Sequence, residues 1–458
     1  MHRYDVVVIG AGLAGLACAK NLLARSMSLK VIVLEARDRV GGRLLWEQNA
    51  DIGGGWVGPT QDLLLAEIES QKLVTDVQTW SKDIAEKDMC ESCGYPEPTL
   101  PAEAKVELDA FIAKLDELAK TLITKYGSEP WKCVEDPNAD IAQADKLTVE
   151  MVMNKNLKHE ESKHAMSMIC KTILATPPSE VGFLCLLWFV ARVGGVAAVG
   201  DGPGAAQHLK IRGGTQQVCS GMARGLHVQL GRLVSLVELP PGQPARVHAG
   251  GQVYSGERVV VAMAPPLVTQ IRFDPPLPED RQRLQDGMVS GRAIKTFAVY
   301  DTPFWLDGPS GPSESRPSFT SLGPVANVFL SEVDGRPSLT GLVVADQADT
   351  WTKRTPQELR AAVLAQYHQM YRDPRALTPR LFLSKDWVQE QYSGGCYSAL
   401  FPPNLLTAAG PALRRPVGRV HWACSEDADR WAGYMEGAMV SGQRCAAEVF
   451  QALRPARL

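Results

Sequence analysis

The chain of 458 residues lacks an excess of charge of either sign, since 48 lysines and arginines stand against 51 aspartates and glutamates, a formal net charge of -3. Without a basic surplus it has no electrostatic footprint for DNA or RNA, so a nucleic-acid partner is not expected. The 45% hydrophobic and 22% charged fractions are typical of a globular protein with a large interior. A chain of this length is expected to form two domains of roughly 200 residues each.

A hydrophobic run long enough to cross a membrane is also missing. The longest, VGFLCLLWFVA at 181–191, is followed by Arg192. It falls short of the roughly 18 apolar residues that a transmembrane helix needs, so it predicts a buried helix. No signal peptide precedes the apolar segment VVVI at 6–9, and an intracellular protein is expected. The tripeptide Ala456-Arg457-Leu458 is similar to the S-K-L address, which suggests a peroxisomal location, with the cytoplasm as the alternative.

The ten cysteines lack the compact spacing of a disulfide framework, which indicates a reducing compartment. Cys90 and Cys93 have C-x-x-C spacing, but no second pair of cysteines or histidines lies near them in the sequence. We therefore interpret them as two free thiols in a loop rather than as zinc ligands, and we predict no metal site.

The chain does contain a nucleotide-binding signature at its start. The opening YDVVVIGAGLAGLACAKNLL predicts a buried strand, a turn with Gly10, Gly12 and Gly15, and a helix. In such a turn the first glycine makes the bend, the second lets the backbone approach a pyrophosphate, and the third lets helix and strand pack closely. A second strand ends at Glu35, 20 residues past Gly15. A carboxylate there accepts from ribose hydroxyls and disfavours a 2′-phosphate, so FAD or NAD fits and NADP does not.

Two further glycine-rich stretches separate FAD from NAD. They are RDRVGGR at 37–43 and DIGGGWVGPTQ at 51–61, and glycines this dense place backbone against a flat or anionic group. Arg43 can contact a pyrophosphate in a bidentate manner. Both stretches resemble the GGR and D-x-G-G-x-W/Y-x-G-P-T-Q motifs that bracket FAD in the flavin-dependent amine oxidases. The resemblance implies FAD as the cofactor, with contacts from Arg37, Gly42, Arg43, Gly55 and Trp56.

The remaining sequence alternates between helical and strand patterns. Helical spacing dominates 76–211, and strand patterns return at 226–239 and 256–266. The segment 291–305 is a further predicted strand, which begins a second insertion, and a helix is predicted at 353–371. With the resemblance, this order predicts an α/β fold in which a discontinuous Rossmann-type (GR2-like) FAD-binding domain carries an inserted mixed α+β substrate domain. The predicted FAD-binding domain comprises 1–75, 212–290 and 391–458, and the predicted substrate-binding domain comprises 76–211 and 291–390.

Cys396 lies in QYSGGCYSALFPP, between a Gly-Gly pair and a tyrosine. This segment is similar, almost letter for letter, to that of the monoamine oxidases, where the cysteine sulfur is bonded to the 8α carbon of the flavin. We expect the two glycines to clear space for the planar flavin ring. A lone thiol at such a place would otherwise be open to oxidation. A buried structural cysteine is the alternative, and the resemblance favours FAD attached covalently through Cys396.

Three side chains are expected to carry the chemistry. By resemblance, Tyr397 and Tyr434 stand on either side of the flavin face as an aromatic cage, whose electron-rich rings attract an amine. Lys295, in GRAIKTFAVY, matches the family lysine that holds a water near flavin N5, where a cation would stabilise charge developing on O2. Without the family, the interpretations would be two core tyrosines and a surface lysine.

The resemblance implies further contacts elsewhere in the chain. Those with the cofactor are Val234, Trp387, Ser425, Glu426, Tyr434 and Met435. Those with the substrate cavity are Gln207, Ile173 and Asn327. For Trp387, a position in the core is the alternative.

The sequence also departs from the family pattern. Cys424 stands where the family has the glycine of a G-T-E motif, which places a Cβ where backbone should approach the ribityl-phosphate arm. Asn327 stands where the vertebrate monoamine oxidases carry a bulky gating residue, and Gly200 falls near another gate. We therefore expect a roomier or more polar entrance. The membrane-anchoring helix of the vertebrate enzymes has no counterpart, so no transmembrane anchor is expected.

Taken together, the resemblance implies an FAD-dependent oxidase of primary or short secondary amines. A hydride equivalent passes from the α-carbon of the amine to flavin N5, and the products are aldehyde, ammonia and H2O2, with O2 as the acceptor. The expected partners are a small amine and O2, and an oligomer is not excluded. A polyamine oxidase and a catalytically weak flavoprotein scaffold stay open as alternatives, and the sequence does not identify the amine.

Overall fold

A computed structural model describes residues 2–78, 100–135, 143–200, 204–306 and 323–454. The Cys90 and Cys93 pair and the tripeptide Ala456-Arg457-Leu458 lie outside these residues. The α-helices are α1 Leu13–Arg25, α2 Asp62–Ser70, α3 Ala102–Tyr126, α4 Val149–Asn156, α5 Glu160–Leu174, α6 Phe183–Val193, α7 Gln216–Ala223, α8 Glu279–Gly287, α9 Ala345–Trp351, α10 Pro356–Tyr371, α11 Leu405–Ala409 and α12 Met435–Leu453. The strands are β1 His2–Ile9, β2 Val31–Leu34, β3 Trp46–Glu47, β4 Ala50–Asp51, β5 Thr75–Val77, β6 Leu209–Ile211, β7 Val228–Gln229, β8 Val234–Glu238, β9 Ala245–Ala249, β10 Gln252–Val261, β11 Arg272–Asp274, β12 Val289–Ser290, β13 Ala293–Val299, β14 Asn327–Val333, β15 Arg336–Val344, β16 Leu381–Asp386, β17 Ala399–Leu400 and β18 Val420–Trp422.

A large mixed sheet organises the part of the chain that is predicted to bind the nucleotide. Its order is β11-β8-β9-β10-β1-β2-β7, and β18 pairs with the end of β10 that β9 leaves free. The central pairs are parallel, with Val8 opposite Val33 on β2 and opposite Val260 on β10. Parallel strands are covered on both faces, which explains the unbroken apolar run of β1. The strand patterns predicted at 226–239 and 256–266 are confirmed as members of this sheet.

The first and last helices of the described chain pack together against this sheet. Residues of α1 and α12 share one buried apolar cluster with Val6 and Val8 of β1. Gly442 of α12 lies so close to α1 that an added Cβ would be 2.5 Å from the carbonyl oxygen of Ala14. The two ends of the chain therefore meet beside the nucleotide-binding turn.

A second sheet, antiparallel and ordered β14-β15-β13-β16, lies in the part of the chain predicted to bind substrate. The strand predicted within 291–305 is β13, and the helix predicted at 353–371 is α10. Every residue of β13 is buried. Ile294 and Ala298 pack in the cluster formed with α10, whereas Ala293 and Lys295 alternate with them and line a cavity on the other face.

A helical cluster covers that cavity. It contains buried residues of α3, α4, α5 and α6, which confirms the helical spacing predicted within 76–211 where the structure describes it. The apolar run at 181–191 forms most of α6, and this helix is buried almost throughout, as predicted. Across the described residues, we find no helix with both the length and the apolar character that a membrane span requires.

The α/β fold class is confirmed by a mixed sheet with a parallel centre and helices packed on it. The second sheet and the helical cluster come from chain segments that interrupt the first sheet. The boundaries proposed for the two domains stay a prediction.

Candidate active site

The two sheets and the helical cluster surround one cavity of about 320 Å³, a size within the range of small-molecule sites. Most of the residues that the sequence singled out line it: Gly10, Gly12, Glu35, Arg37, Gly42, Arg43, Gly55, Trp56, Ile173, Gln207, Val234, Lys295, Trp387, Cys396, Tyr397, Ser425, Tyr434 and Met435. Gly15, Glu426 and Asn327 do not line it. The structure therefore brings segments from the whole length of the chain to one place.

The glycine turn and α1 form what we call the nucleotide end of the cavity. The helix begins after Gly12, and no side chain caps its first turn. Gly12, Leu13 and Ala14 line the cavity, so the unpaired N–H groups of a helix N-terminus are available there to an anion. A Cβ at Gly12 would meet nothing within 4 Å, which leaves the backbone open to close approach.

Gly15 acts one turn further along α1. A Cβ at this position would be 2.0 Å from the carbonyl oxygen of Gly10. No side chain fits at that distance, so Gly15 allows the helix to pack on the turn, which is the role that the spacing predicted.

Glu35 follows β2 at the same end of the cavity. Its Oε2 accepts from the Ala11 N–H at 2.7 Å, and its Oε1 accepts from the Arg37 N–H at 3.0 Å. The side chain of Arg37 donates to the hydroxyl of Ser393 at 2.9 Å and to the carboxylate of Glu390. These contacts hold a buried carboxylate beside the glycine turn, where the sequence placed a ribose.

A second helix N-terminus opens into the cavity at α12. The helix begins after Tyr434 without a side-chain cap, and Tyr434, Met435 and Ala438 line the cavity. Two uncapped helix N-termini therefore face one space, and both favour negative charge there.

Arg43 joins three segments at the cavity wall. Its Nη1 donates to the Tyr397 carbonyl at 2.6 Å and to Glu426 at 2.9 Å, and its Nη2 donates to the Ser425 hydroxyl at 3.0 Å. Burial opposes the charge of both partners, yet the ion pair holds the pKa of Arg43 above its ordinary value and that of Glu426 below it. The terminal nitrogens of Arg43, which were expected to bind a pyrophosphate, are thus hydrogen-bonded to other residues of the protein. Glu426 does not line the cavity itself but forms an ion pair with Arg43, which does.

Cys424 contributes a thiol to the same wall. Its backbone is extended, with φ -155° and ψ 160°, so the position does not require the glycine that the family carries there. The Cys424 N–H donates to the hydroxyl of Ser441 at 3.0 Å. The departure from the family therefore adds a buried side chain without backbone strain.

The two glycines before Cys396 are needed for a reason that the sequence did not reveal. Gly394 and Gly395 have φ of 61° and 121°, which side-chain-bearing residues rarely adopt. A Cβ on Gly395 would be 2.4 Å from the Gly291 carbonyl, and one on Gly394 would be 2.9 Å from Leu267. The expectation that they clear space for a ring was wrong, because protein atoms occupy that space.

Cys396 itself is partly buried and lines the cavity. Its N–H donates to the Gly291 carbonyl at 2.9 Å, which anchors the loop to the start of β13. Burial raises the pKa of the thiol to about 12, although Arg43 and Lys295 act in the opposite direction. The free thiol is therefore protonated at neutral pH and is held rigidly at the cavity surface.

Lys295 reaches the cavity from β13. Its Nζ donates to the carbonyls of Asp51 at 2.6 Å and Gly53 at 2.9 Å, and it lies 4.5 Å from the ring centroid of Trp56. Burial lowers its pKa to about 7, even though the nearby Asp51 carboxylate favours the charged form. The charge of Lys295 is thus sensitive to pH near neutrality.

Tyr397 and Tyr434 both line the cavity and are supported from different directions. Tyr397 packs against the buried cluster of the second sheet that contains Phe329 and Leu342, whereas the ring of Tyr434 stacks on Phe189 of α6 with the ring centroids 6.4 Å apart. Burial raises the pKa of both phenols, so both stay neutral. Among the described residues the Tyr397 hydroxyl has no hydrogen-bond partner.

The remaining wall is largely apolar. Ile173 and Gln207 line it as predicted, and Gln207 Oε1 is buried without a partner among the described residues. Asn327 lies behind the wall, where its Oδ1 accepts from the hydroxyl of Thr172 at 2.8 Å. Val199, next to Gly200, lines the cavity, and the gate expected near Gly200 stays a prediction.

Trp387 is both a core residue and part of the wall. It is buried, its Nε1 donates to the Ile52 carbonyl at 3.1 Å, and its ring lines the cavity beside Cys396. A position in the core and a position in the cavity wall, the two alternatives from the sequence, are therefore compatible for Trp387.

The sequence missed several residues of the wall. Thr172, Phe189, Phe329 and Leu342 line the cavity, but residues of these types within a helix or strand pattern carry no local signal of a site. Asp51 was also missed, although the sequence carried a signal for it: it is the first residue of the D-x-G-G motif, whose backbone carbonyls accept hydrogen bonds from Lys295.

The residues of the nucleotide end fit FAD. The open approach at Gly12 and the two uncapped helix N-termini suit a pyrophosphate, and the fixed carboxylate of Glu35 suits a ribose. Cys396, Tyr397, Tyr434 and Lys295 line the same cavity, so a flavin joined to that nucleotide is within their reach.

Comparison with known proteins gives the same assignment from independent data. The family described as flavin containing amine oxidoreductase matches residues 13–450. The "Probable flavin-containing monoamine oxidase A" of Dictyostelium discoideum is 32% identical over 471 residues, covering 99% of both chains. The flavin-containing amine oxidase A of Equus caballus is 31% identical over 472 residues, covering 99% of this chain and 86% of that protein.

Solved structures are similar over the whole chain. A putrescine oxidase variant with redesigned cofactor binding matches with a TM-score of 0.84 at 28% identity, covering 98% of this chain and 99% of that one. Cyclohexylamine oxidase from Brevibacterium oxydans IH-35A matches with a TM-score of 0.83 at 28% identity and the same coverage.

Proposed function

Since the chain belongs to the family of flavin-containing amine oxidoreductases, we propose that it oxidises small primary or short secondary amines between Tyr397 and Tyr434 and uses O2 as the acceptor. FAD-dependent amine oxidation itself follows from the family and from the monoamine oxidase relatives. The observation that supports the assignment of roles is the single cavity that connects the glycine turn with Cys396, Lys295 and the two tyrosines.

In this proposal, the protein orients the amine and removes it from water. When bound, FAD supplies the two-electron acceptor for the hydrogen on the α-carbon of the amine. The faces of Tyr397 and Tyr434 attract the amine nitrogen. The largely apolar lining disfavours an ammonium ion, so the amine is held in its neutral form, whose lone pair assists loss of the hydride equivalent.

Lys295 is assigned to the reaction with O2. Its ammonium group, fixed by two carbonyls, would stabilise the negative charge that develops on O2 as it accepts electrons. O2 is thereby reduced to H2O2. The imine formed from the amine is hydrolysed to an aldehyde and ammonia.

Cys396 is assigned to a covalent thioether with the 8α carbon of the flavin. Its place in the cavity wall and the anchored loop that carries it support this assignment. Formation of this bond would remove the hydrogen of the Cys396 thiol and one hydrogen of the flavin methyl, and O2 would be the oxidant that accepts the two electrons released.

The covalent bond is tested by a visible spectrum of acid-precipitated protein. We expect the wild-type pellet to stay yellow and Cys396→Ala to release its colour to the supernatant. Cys424→Ala is the matched control, because its thiol lines the same cavity, and its pellet should stay yellow. A colourless wild-type pellet would rule out the covalent bond.

The oxidase assignment is tested on native enzyme without oxygen. Benzylamine or tyramine should bleach the flavin band, spermidine should not, and air should restore the colour with one equivalent of H2O2. Bleaching by none of these amines would contradict the proposed substrates, and restoration without H2O2 would contradict O2 as the acceptor.

Peroxisomal targeting by Ala456-Arg457-Leu458 stays a prediction. A fluorescent protein carrying these residues at its C-terminus should enter peroxisomes and should stay outside when they are deleted. A diffuse signal from the intact fusion would overturn it.

A further inference from the structure

A polar pair interrupts the apolar wall of the cavity. Thr172, on α5, lines the cavity, and its hydroxyl donates to the Oδ1 of Asn327 at 2.8 Å. Asn327 is only 7% exposed and begins β14 opposite Leu342 of β15. Ile173, Phe329 and Leu342 form the surrounding wall, so the pair is a local exception.

Such a pair carries a cost that an apolar wall would avoid. Burial of a hydroxyl and an amide is unfavourable unless their hydrogen bonds are satisfied. The Thr172 hydroxyl uses its hydrogen on Asn327 and keeps its acceptor lone pairs. A ligand group that donates a hydrogen bond would complete the arrangement.

A second acceptor in the cavity lacks a partner altogether. Gln207 Oε1 is buried and has no partner among the described residues. The cavity therefore offers two separate acceptors, one at Gln207 and one at Thr172. The N–H donors of a primary amine all lie on one nitrogen, so a donor elsewhere on the ligand would be needed for an amine that binds at one acceptor to reach the other.

The second donor is expected to be uncharged. Among the described residues that line the cavity, Glu35 is the only carboxylate, and it is fixed beside the glycine turn. A second amine at Thr172 would have to be buried as an ammonium ion without a counter-ion or lose its proton first, and both are unfavourable. A hydroxyl meets the requirement without this penalty.

We propose that Thr172, held by Asn327, is a specificity-determining residue that selects amines bearing a hydroxyl group. This inference rests on the proposed function, since it concerns the substrate of the same site. Hydroxylated amines are therefore better substrates than their unsubstituted analogues, and diamines of similar length are poorer ones.

The test compares kcat/KM for phenethylamine with that for its ortho-, meta- and para-hydroxy derivatives, the last being tyramine. In the wild type, at least one hydroxylated amine should be preferred over phenethylamine by roughly 3- to 10-fold, the value of one net hydrogen bond. Thr172→Val, which replaces the hydroxyl by a methyl group of similar size, should abolish that preference. Thr172→Ser should retain it.

The control is Thr121→Val, because this exposed threonine lies on α3 outside the cavity and bonds only its own helix. Its preference should equal that of the wild type. If Thr172→Val does not fold, as judged by flavin content, Thr172→Ala takes its place with the same expected result.

The outcomes separate the two proposals. If none of the four amines bleaches the flavin, the proposed function fails. If they are oxidised without a preference for any hydroxylated form, or if a preference survives in Thr172→Val, the proposed function stands and the role of Thr172 is overturned.

Discussion

The two ends of the cavity are built in opposite ways. At the nucleotide end, recognition uses backbone groups and glycines, and Gly10, Gly12 and Glu35 lie within one short stretch of sequence. At what we call the amine end, the cavity is lined by side chains from distant segments, including Thr172, Lys295 and Tyr434. One end thus depends on local chain geometry and the other on tertiary packing.

The difference has a consequence for variation within such a fold. Backbone recognition tolerates little change, because a single added Cβ displaces main-chain atoms. Side-chain recognition can change residue by residue while the scaffold stays intact. We therefore expect substitutions at the nucleotide end to abolish the holoenzyme, and those at the amine end to change rates and substrate choice.

Gly15→Ala should have the largest effect, because its Cβ would lie 2.0 Å from the Gly10 carbonyl. Overpacking usually costs about 1 to 3 kcal/mol, and a clash this close with a main-chain atom belongs at the upper end of that range, so it should prevent folding with FAD. The matched variant is Gly12→Ala, whose Cβ meets no atom of the chain within 4 Å. It should fold normally by circular dichroism but contain less FAD, and full FAD content would contradict close approach of the cofactor at Gly12.

Lys295→Met should have the next largest effect, confined to the reaction with O2. We expect a loss of roughly 100-fold in flavin reoxidation, the usual result of removing one fixed charge-stabilising group, with a much smaller change in anaerobic reduction. Stopped-flow measurements of the two half-reactions check this, and Lys353→Met, at an exposed lysine on the surface, is the control.

The same lysine predicts a pH dependence. Because burial lowers the pKa of Lys295 to about 7, the ammonium form dominates below pH 7 and is lost as the pH rises above it. Wild-type reoxidation should therefore slow between pH 6 and 8, while Lys295→Met stays flat. A flat wild-type profile would indicate that the charge of Lys295 does not act on O2.

Tyr397→Phe should have the smallest effect. The ring is retained and the lost hydroxyl has no partner among the described residues, so the reduction rate should change by less than about 3-fold and thermal stability should not fall. Tyr397→Leu removes the ring face and should slow reduction by roughly 10-fold. Equal losses in both variants would show that the hydroxyl, rather than the ring, is needed.

The sequence predicted the nucleotide end well because its signals are contiguous. Alternation of strand, glycines and helix within the first residues is enough to specify a parallel pair and an open helix N-terminus. It also predicted that the two glycines before Cys396 matter, but their partners, Gly291 and Leu267, lie in other segments. The reason for the glycines could therefore be seen only in the folded chain.

The amine end was predicted only where the resemblance reached it. Thr172 and Asn327 are 155 positions apart in the chain, and the resemblance reached only Asn327. A threonine in an amphipathic helix is ordinarily a minor part of its surface or core. Its position in the cavity follows from the packing of α5 against the second sheet, which no local pattern encodes.

The contact between the first and last helices also fixes the order in which the site can be made. The turn at Gly12 leaves the ribosome early, whereas α12, which adds the second helix N-terminus, begins at Met435. At about 5–20 residues per second, synthesis of the intervening chain takes roughly 20 to 80 s. During that interval α1 lacks its partner α12, so a cofactor that needs both helices can be taken up only after α12 has been synthesised.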